Sequence, residues 1–449
     1  MEDLDLKEEQ LRVHALGRPG HPSPLGLSTV LGDDLANYVD DGDTVLFYHN
    51  RAVVEARLRE GLPLLAFEKA GPRQRIFFDP SRTRAGIVTC GGLCPGINNV
   101  IRSLVMTLYY RYRVRSILGF RFGFRGLVPR YGLQPLELRP RDVAEIHERG
   151  GSVLGSSRGH QDIGEIADFL ERTGVCLLFA VGGDGTLRAA GKIHREVDRR
   201  GLRVAVVGIP KTIDNDIAFV EKAFGLETAF SVAAEAIRGA HTEARGAPNG
   251  IGLVKVMGRM SGFIAANAAL ALNEVNFVLI PEVPFDLEGP RGLYAALEKR
   301  LRRRGHAVII VAEGAGQRHA RAEGRDPSGN PVLGDIGVFL RDRISGYFQE
   351  HTGLDVALKY IDPSYLVRSV PANAHDAIYC MQLAQNAVHA GMAGKTGMIV
   401  GRWNGQFTHL PIDLATSQRK QLSPEDPLWL SVLEATGQPV RMVNDPPIL

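Results

Sequence analysis

With four cysteines in 449 residues, the chain has no disulfide framework to hold it, and so sparse a thiol content points to a reducing interior. Cys90 and Cys94 flank a glycine turn, but no second pair lies nearby to complete a zinc site. No stretch approaches the roughly 20 apolar residues that span a bilayer, and the N-terminus lacks the apolar core of a signal peptide. A cytoplasmic protein with no membrane partner is expected. Lys and Arg total 53 against 50 Asp and Glu, a formal net charge of +3. That balance excludes the broad positive field by which proteins hold nucleic acid. The basic run Lys299, Arg300, Arg302, Arg303 and Arg304 closes a helix-like stretch from Pro290, where cations complement the helix dipole.

What is present is apolar residue in quantity, 44% of the chain, enough for more than one core and for two lobes. Met1 to about Gly26 reads as an acidic, then Pro-, Gly- and His-rich arm, with His14 and His21 solvated. Asp33 to Phe78 carries enough apolar residues for a small appended subdomain. Beyond it, strand-like and helix-like runs alternate, which implies right-handed crossovers, mostly parallel sheets and a site at the carboxyl ends of the strands.

Two stretches dominate that alternation: CLLFAVGGDGTL (Cys176–Leu187) and VAVVGIPKTIDNDI (Val204–Ile217). Each is a short apolar run that breaks into glycine and carboxylates, the pattern of a buried parallel strand opening onto a site. Asp184, Asp214 and Asp216 therefore converge on one edge, with Lys211 beside them. Such a mixture suits phosphoryl transfer, which needs a metal-holding acid, a base for the attacking hydroxyl and positive groups for the phosphate. Taken singly, the glycine turn is equally a tight turn, and the second loop equally a polar helix cap.

Further runs repeat the device. Ala85–Thr89 leads into CGGLCPG and a helical face of Ile97, Val100, Ile101, Leu104, Val105 and Leu108, either a phosphate cradle or a sharp turn. GSSRG offers Arg158 as a phosphate fork or as an idle surface group. GFRFGFRGL (Gly119–Leu127) suits adenine stacking or plain burial of phenylalanine. IGLVKV delivers Arg259 in MGRMSG before an alanine-rich helix from Ser261, and AVIIVAEG delivers Glu313. Ala315–Pro331 reads as a long surface loop. GDIGVFLRDRISGYF resumes helix, YIDPSYLVRS carries Tyr365 and Arg368, GKTGMIVGRWNG gives a late strand, and the tail from Pro411 is expected to wrap the surface.

In this order GGLCPGINNVIR, GSSRGH, GGDGT, PKTIDNDI, KVMGRMSGF, PEVPF, VAEGAG and DPSYLVRS resemble the phosphofructokinase family, over about Ala70 to Asn404. The resemblance is to the longer ATP-using branch related to the pyrophosphate-dependent enzymes. It implies an α/β fold of two Rossmann-like lobes with mostly parallel sheets and an N-terminal extension. The implied division is an arm and appended subdomain over 1–80, a nucleotide-binding lobe over 81–245 with part of the C-terminal segment, a sugar-phosphate lobe over 246–410 and a tail over 411–449. By the same resemblance Asp214 is the general base toward the C1 hydroxyl of fructose 6-phosphate, acting with Thr212, Asp216 and Lys211. Asp184 is the Mg²⁺ ligand, through water. Gly92, Arg158, Gly159, Gly183, Asp184, Gly185 and Thr186 contact ATP. Thr212, Ile213, Asp214, Met257, Gly258, Arg259, Glu313, Tyr365 and Arg368 contact the sugar phosphate, while Glu282 falls near an effector pocket of shorter relatives. A homodimer or homotetramer is implied.

The donor turns on Gly185, where pyrophosphate-using relatives carry a second aspartate. A carboxylate about 4 Å from a nucleotide phosphate is repelled by roughly 4 kcal/mol at an effective dielectric near 20. Glycine removes that obstacle, so ATP is expected. Lys211, typical of pyrophosphate users, points the other way, but the longer ATP-using branch combines glycine with lysine as here. Two other readings are a non-catalytic subunit that only binds sugar phosphate, and a relative of the NAD or lipid kinases. The full set of acids opposes the first; PKTIDND and MGRMSG oppose the second.

Overall fold

A computed structural model of the chain describes residues 6–320, 322–325 and 331–444. The described chain forms two compact units, one of 6–212, 217–225 and 370–419, the other of 213–216, 226–369 and 420–444.

Among the described residues the first unit builds a nine-stranded sheet in the order Thr44–Leu46, Ala66–Lys69, Gln406–Pro411, Met398–Trp403, Ala205–Pro210, Leu177–Gly182, Arg84–Thr89, Ser116–Phe120, Leu136–Glu137. The five strands from Met398–Trp403 to Ser116–Phe120 run parallel. Antiparallel strands close both edges of this parallel centre. Leu177–Gly182 and Ala205–Pro210 are buried at every residue, as expected of parallel strands covered on both faces. Helices Asp184–Arg199 and Ala374–Met392 pack on this sheet, and Ile97–Met106 packs on Ala374–Met392.

The second unit has a four-stranded, wholly parallel sheet in the order Phe277–Leu279, His306–Ala312, Gly250–Val256, Leu358–Ile361. Its core joins Ile251, Leu253, Ile309 and Val311 to Leu297, Leu340 and Phe348 of the flanking helices.

Three expected boundaries are corrected. Helix Leu226–Arg245, assigned to the first lobe, packs on Gly250–Val256 and belongs to the second unit, because its alanine-rich face allows close approach to Gly252. Residues 370–410, assigned to the second lobe, supply the first unit with a helix and three strands. The tail is more than a surface wrap, since Trp429 and Val432 of helix Pro427–Thr436 are buried. The expected loop Ala315–Pro331 lies partly outside the described residues.

Nor is the N-terminal extension a separate subdomain. Thr44–Leu46 and Ala66–Lys69 extend the large sheet, and Phe47 and Phe67 pack with Trp403, their ring centroids 5.3 and 5.7 Å from it. Glu68 locks the junction. Its Oε1 lies 2.9 Å from Arg73 and Lys395 and 3.0 Å from His409 Nδ1, and Arg73 also reaches Asp41. Burial alone would raise the Glu68 carboxyl, but the His409 hydrogen bond and the Lys395 ammonium outweigh it and hold it at about 2. An unfolded glutamate titrates near 4.5, so this stabilisation, about 3 kcal/mol by linkage, is complete above that pH and lost as pH falls toward 2. Glu68→Gln is expected to cost about 3 to 5 kcal/mol at pH 7, since it leaves buried cations uncompensated. Urea midpoints of the two proteins should then converge on acidification. No helix among the described residues is long and apolar enough to cross a membrane.

Candidate active site

In the first unit, three loops that leave the carboxyl ends of adjacent parallel strands are tied together. Lys211 donates its backbone N–H to the Gly182 carbonyl at 3.0 Å and its Nζ to the Gly92 carbonyl at 2.6 Å. Ser156 Oγ donates to Gly91 O at 2.6 Å, and Gly91 N to Ser157 O at 3.1 Å. A Cβ on Gly92 would lie 3.4 Å from Arg158 Nη2, so the guanidinium reaches this loop. Gly92, Arg158, Gly159, Gly183, Asp184, Gly185, Thr186 and Lys211 thus belong to one group of loops. Lys211 is buried, its charge set under the backbone rather than out in solvent.

Asp184 corrects the sequence reading in one respect. It is the first residue of helix Asp184–Arg199 rather than part of a free turn, with Gly183 as N-cap. Gly182 is required here because a Cβ would fall 2.2 Å from Thr186 Oγ1; Thr186 is buried and frames the turn. Gly185 differs, since nothing lies within 4 Å of a Cβ built on it. Both oxygens of the Asp184 carboxylate accept from Arg188 Nε at 3.1 Å, Arg188 also donates to the Thr416 carbonyl, and Arg419 pairs with Asp184 at 4.0 Å. No cluster of three or more metal-ligating side chains occurs among the described residues. A single carboxylate at a helix entrance fits a Mg²⁺ ion that draws its remaining ligands from water and phosphate.

Of the three phenylalanines in GFRFGFRGL, Phe120 and Phe124 are core, whereas Phe122 is 40% exposed. Phe122 borders the Arg158 loop, accepting from Ser157 Oγ through its carbonyl at 2.6 Å. Cys90 and Cys94 are buried, and burial pushes the Cys90 thiol up to about 12. An inert, protonated thiol is the result.

The PKTIDND segment is shared out: Lys211 and Thr212 belong to the first unit, Ile213–Asp216 to the second. Within the second unit Ser261 Oγ donates to the Asp214 carbonyl at 2.6 Å and Lys420 N to the Asp216 carbonyl at 3.0 Å, which fixes the turn bearing both acids. Asn215 between them has φ +55°. Met257, Gly258 and Arg259 follow Gly250–Val256, Glu313 follows His306–Ala312, and Tyr365 with Arg368 follows Leu358–Ile361. These groups therefore leave neighbouring strands at the same end. Glu313 N donates to Val256 O at 2.9 Å, and the Gly314 backbone packs on Arg259 O so closely that a Cβ would come within 1.8 Å. Arg368 stacks on the Tyr365 ring at 4.6 Å. Burial raises the Glu313 carboxyl above the usual glutamate range, with Arg259, Lys255 and Arg368 opposing the shift.

Glu282 stands outside this group, its Oε1 accepting from the backbones of Gly262 and Leu422. Sequence reasoning overlooked Ser261, Lys255, Asp362, Arg188 and Arg419. Asp362 was within view, inside the DPSYLVRS stretch.

The phosphofructokinase pattern matches residues 84–391. A protein from Amycolatopsis methanolica named ATP-dependent 6-phosphofructokinase is 47% identical over 97% of this chain and 96% of its own length. One of the same name from Borreliella burgdorferi is 46% identical over 99% of both chains. The chain belongs to the phosphofructokinase family. The crystal structure of a pyrophosphate-dependent phosphofructokinase from Marinobacter aquaeolei superposes with TM-score 0.63 at 19% identity, covering 82% of this chain and 93% of that one, a likeness of fold. A phosphofructokinase thus stands on two α/β units whose strand ends carry separate sets of loops.

Proposed function

We propose that the chain is an ATP-dependent 6-phosphofructokinase, which transfers the γ-phosphoryl group of ATP to the C1 hydroxyl of fructose 6-phosphate and yields fructose 1,6-bisphosphate and ADP. The observation that carries this reading is the near-full-length identity to proteins of that name.

The loops of the first unit take the nucleotide. Backbone N–H groups at the start of helix Asp184–Arg199 have no partner within the helix and face an anion favourably; Arg158 adds a charge-assisted fork, and Phe122 a flat apolar surface beside it. Asp184 would hold Mg²⁺, which supplies neutralisation of phosphate charge. The second unit takes the sugar phosphate, with Arg259 and Arg368 toward the phosphate and Glu313 toward the sugar hydroxyls. Asp214 orients the C1 hydroxyl and takes its proton as the oxygen bonds to the γ-phosphorus and the bond to the β-γ bridging oxygen breaks. Thr212, Ile213, Asp216 and Lys211 hold that segment and the moving group.

The test is a steady-state comparison in which ATP and pyrophosphate are offered as donors, each with fructose 6-phosphate or sedoheptulose 7-phosphate. Turnover with ATP and fructose 6-phosphate is expected; turnover with pyrophosphate alone overturns the donor assignment. A homodimer or homotetramer acting in the cytoplasm completes the reading, and sedimentation velocity checks the assembly.

Glu313 gives a second check. Its raised carboxyl binds a proton more tightly when folded, so stability falls as pH climbs from the unfolded value through the folded one. Glu313→Gln is expected to melt higher than the native protein at pH 7 and equally at pH 4. The KM for fructose 6-phosphate should rise about 10-fold or more, as for loss of a hydrogen bond to a charged group.

A further inference from the structure

Lys255 lies on the buried strand Gly250–Val256, with only 13% of its side chain exposed. Its ammonium meets two carboxylates from different parts of the second unit: Asp362 at 2.9 Å and both oxygens of Asp335 at 3.2 Å. Each carboxylate is also committed to the start of a helix. Asp335 accepts from the backbone N–H groups of Gly337 and Val338 at 3.1 Å and caps Ile336–His351. Asp362 accepts from Ser364 N at 3.0 Å and from Ser364 Oγ, at the entrance to Ser364–Ser369. One cation thus joins the strand that leads into Met257–Gly258–Arg259 to the turn that presents Tyr365 and Arg368.

Two carboxylates within 3.2 Å hold this ammonium in place, and it acts on the Glu313 carboxyl together with Arg259 and Arg368. Its direct partners are nevertheless the two carboxylates, so its first effect is on where they sit. A half-buried ammonium between two carboxylates is costly to disturb at one partner, because the remaining charges stay desolvated.

We infer that Lys255 is a positioning residue for the sugar phosphate: through Asp362 it sets the separation between the loop carrying Arg259 and the helix carrying Tyr365 and Arg368. The inference rests on the acceptor role given above to the second unit. Lys255→Met frees the helix entrance without adding volume, whereas Lys255→Arg keeps a cation able to fork between two carboxylates.

Steady-state kinetics at saturating ATP should show Lys255→Met with the KM for fructose 6-phosphate raised about 10-fold or more, kcat within about 3-fold of native and the KM for ATP unchanged. Lys255→Arg should recover most of the lost affinity, and Asp362→Asn should shift KM in the same direction. A native KM for fructose 6-phosphate in Lys255→Met, or equal losses in kcat and both KM values, overturns the inference while leaving the enzyme's activity intact as a reading. Should Lys255→Met fail to fold, Asp362→Asn carries the same test, because its side-chain carbonyl still caps Ser364. Calorimetric titration with fructose 6-phosphate separates the two proposals: a native protein that binds the sugar phosphate without turning it over, and a variant that binds it about 10-fold more weakly, supports the pin and sinks the reaction. A native protein that neither binds nor phosphorylates it overturns both.

Discussion

Asp214→Asn is expected to lower turnover by about 10²-fold to 10⁴-fold, the usual contribution of a positioned general base. The amide keeps the size and polarity of the carboxylate but cannot accept the proton of the C1 hydroxyl. The turn itself is held by backbone contacts, with Ser261 Oγ on the Asp214 carbonyl and Lys420 N on the Asp216 carbonyl. The KM values for both substrates are therefore expected to stay within a few-fold, and the loss to appear in kcat. Stopped-time assays of fructose 1,6-bisphosphate formation check this. A variant that retains a tenth of native turnover assigns the base to another group.

Gly185→Asp is expected to raise the KM for ATP by between roughly 10-fold and 10³-fold. The upper figure corresponds to the roughly 4 kcal/mol of repulsion between charges 4 Å apart at an effective dielectric near 20; the lower allows for solvent screening at an open position. The structure makes this substitution a clean one. Nothing lies within 4 Å of the added Cβ, and an acidic residue in the first turn of Asp184–Arg199 is favoured by the helix dipole. Folding should not suffer, so the melting temperature should hold or rise while ATP use falls. Unchanged ATP kinetics would refute the charge and space argument for the donor.

Leu177–Gly182 and Ala205–Pro210 were legible as strands because unbroken apolar runs ending in glycine or proline suit the centre of a parallel sheet. The loops after them were legible for the same reason, since polar and glycine residues following such runs face the strand ends. Less could be seen where pairing is distant. Thr44–Leu46 and Ala66–Lys69 are short and partly exposed; they pair with each other, and only the pairing of Ala66–Lys69 with Gln406–Pro411, more than 300 residues on, joins them to the large sheet. Alanine spacing in Leu226–Arg245 marks a helix but does not say which sheet it covers. Lys255 looked like an ordinary strand residue in IGLVKV, because its partners Asp335 and Asp362 are 80 and 107 positions away. Asp184 reads as a turn residue because Gly183, the N-cap, has no side chain to announce the helix.

One tube decides the central claim. The purified protein is given equimolar ATP and pyrophosphate with fructose 6-phosphate and Mg²⁺, and phosphorus NMR follows all the phosphates together. ATP should disappear in step with the growth of ADP and of a second sugar phosphomonoester at C1, while the pyrophosphate signal stays constant. Consumption of pyrophosphate with ATP untouched would contradict the account.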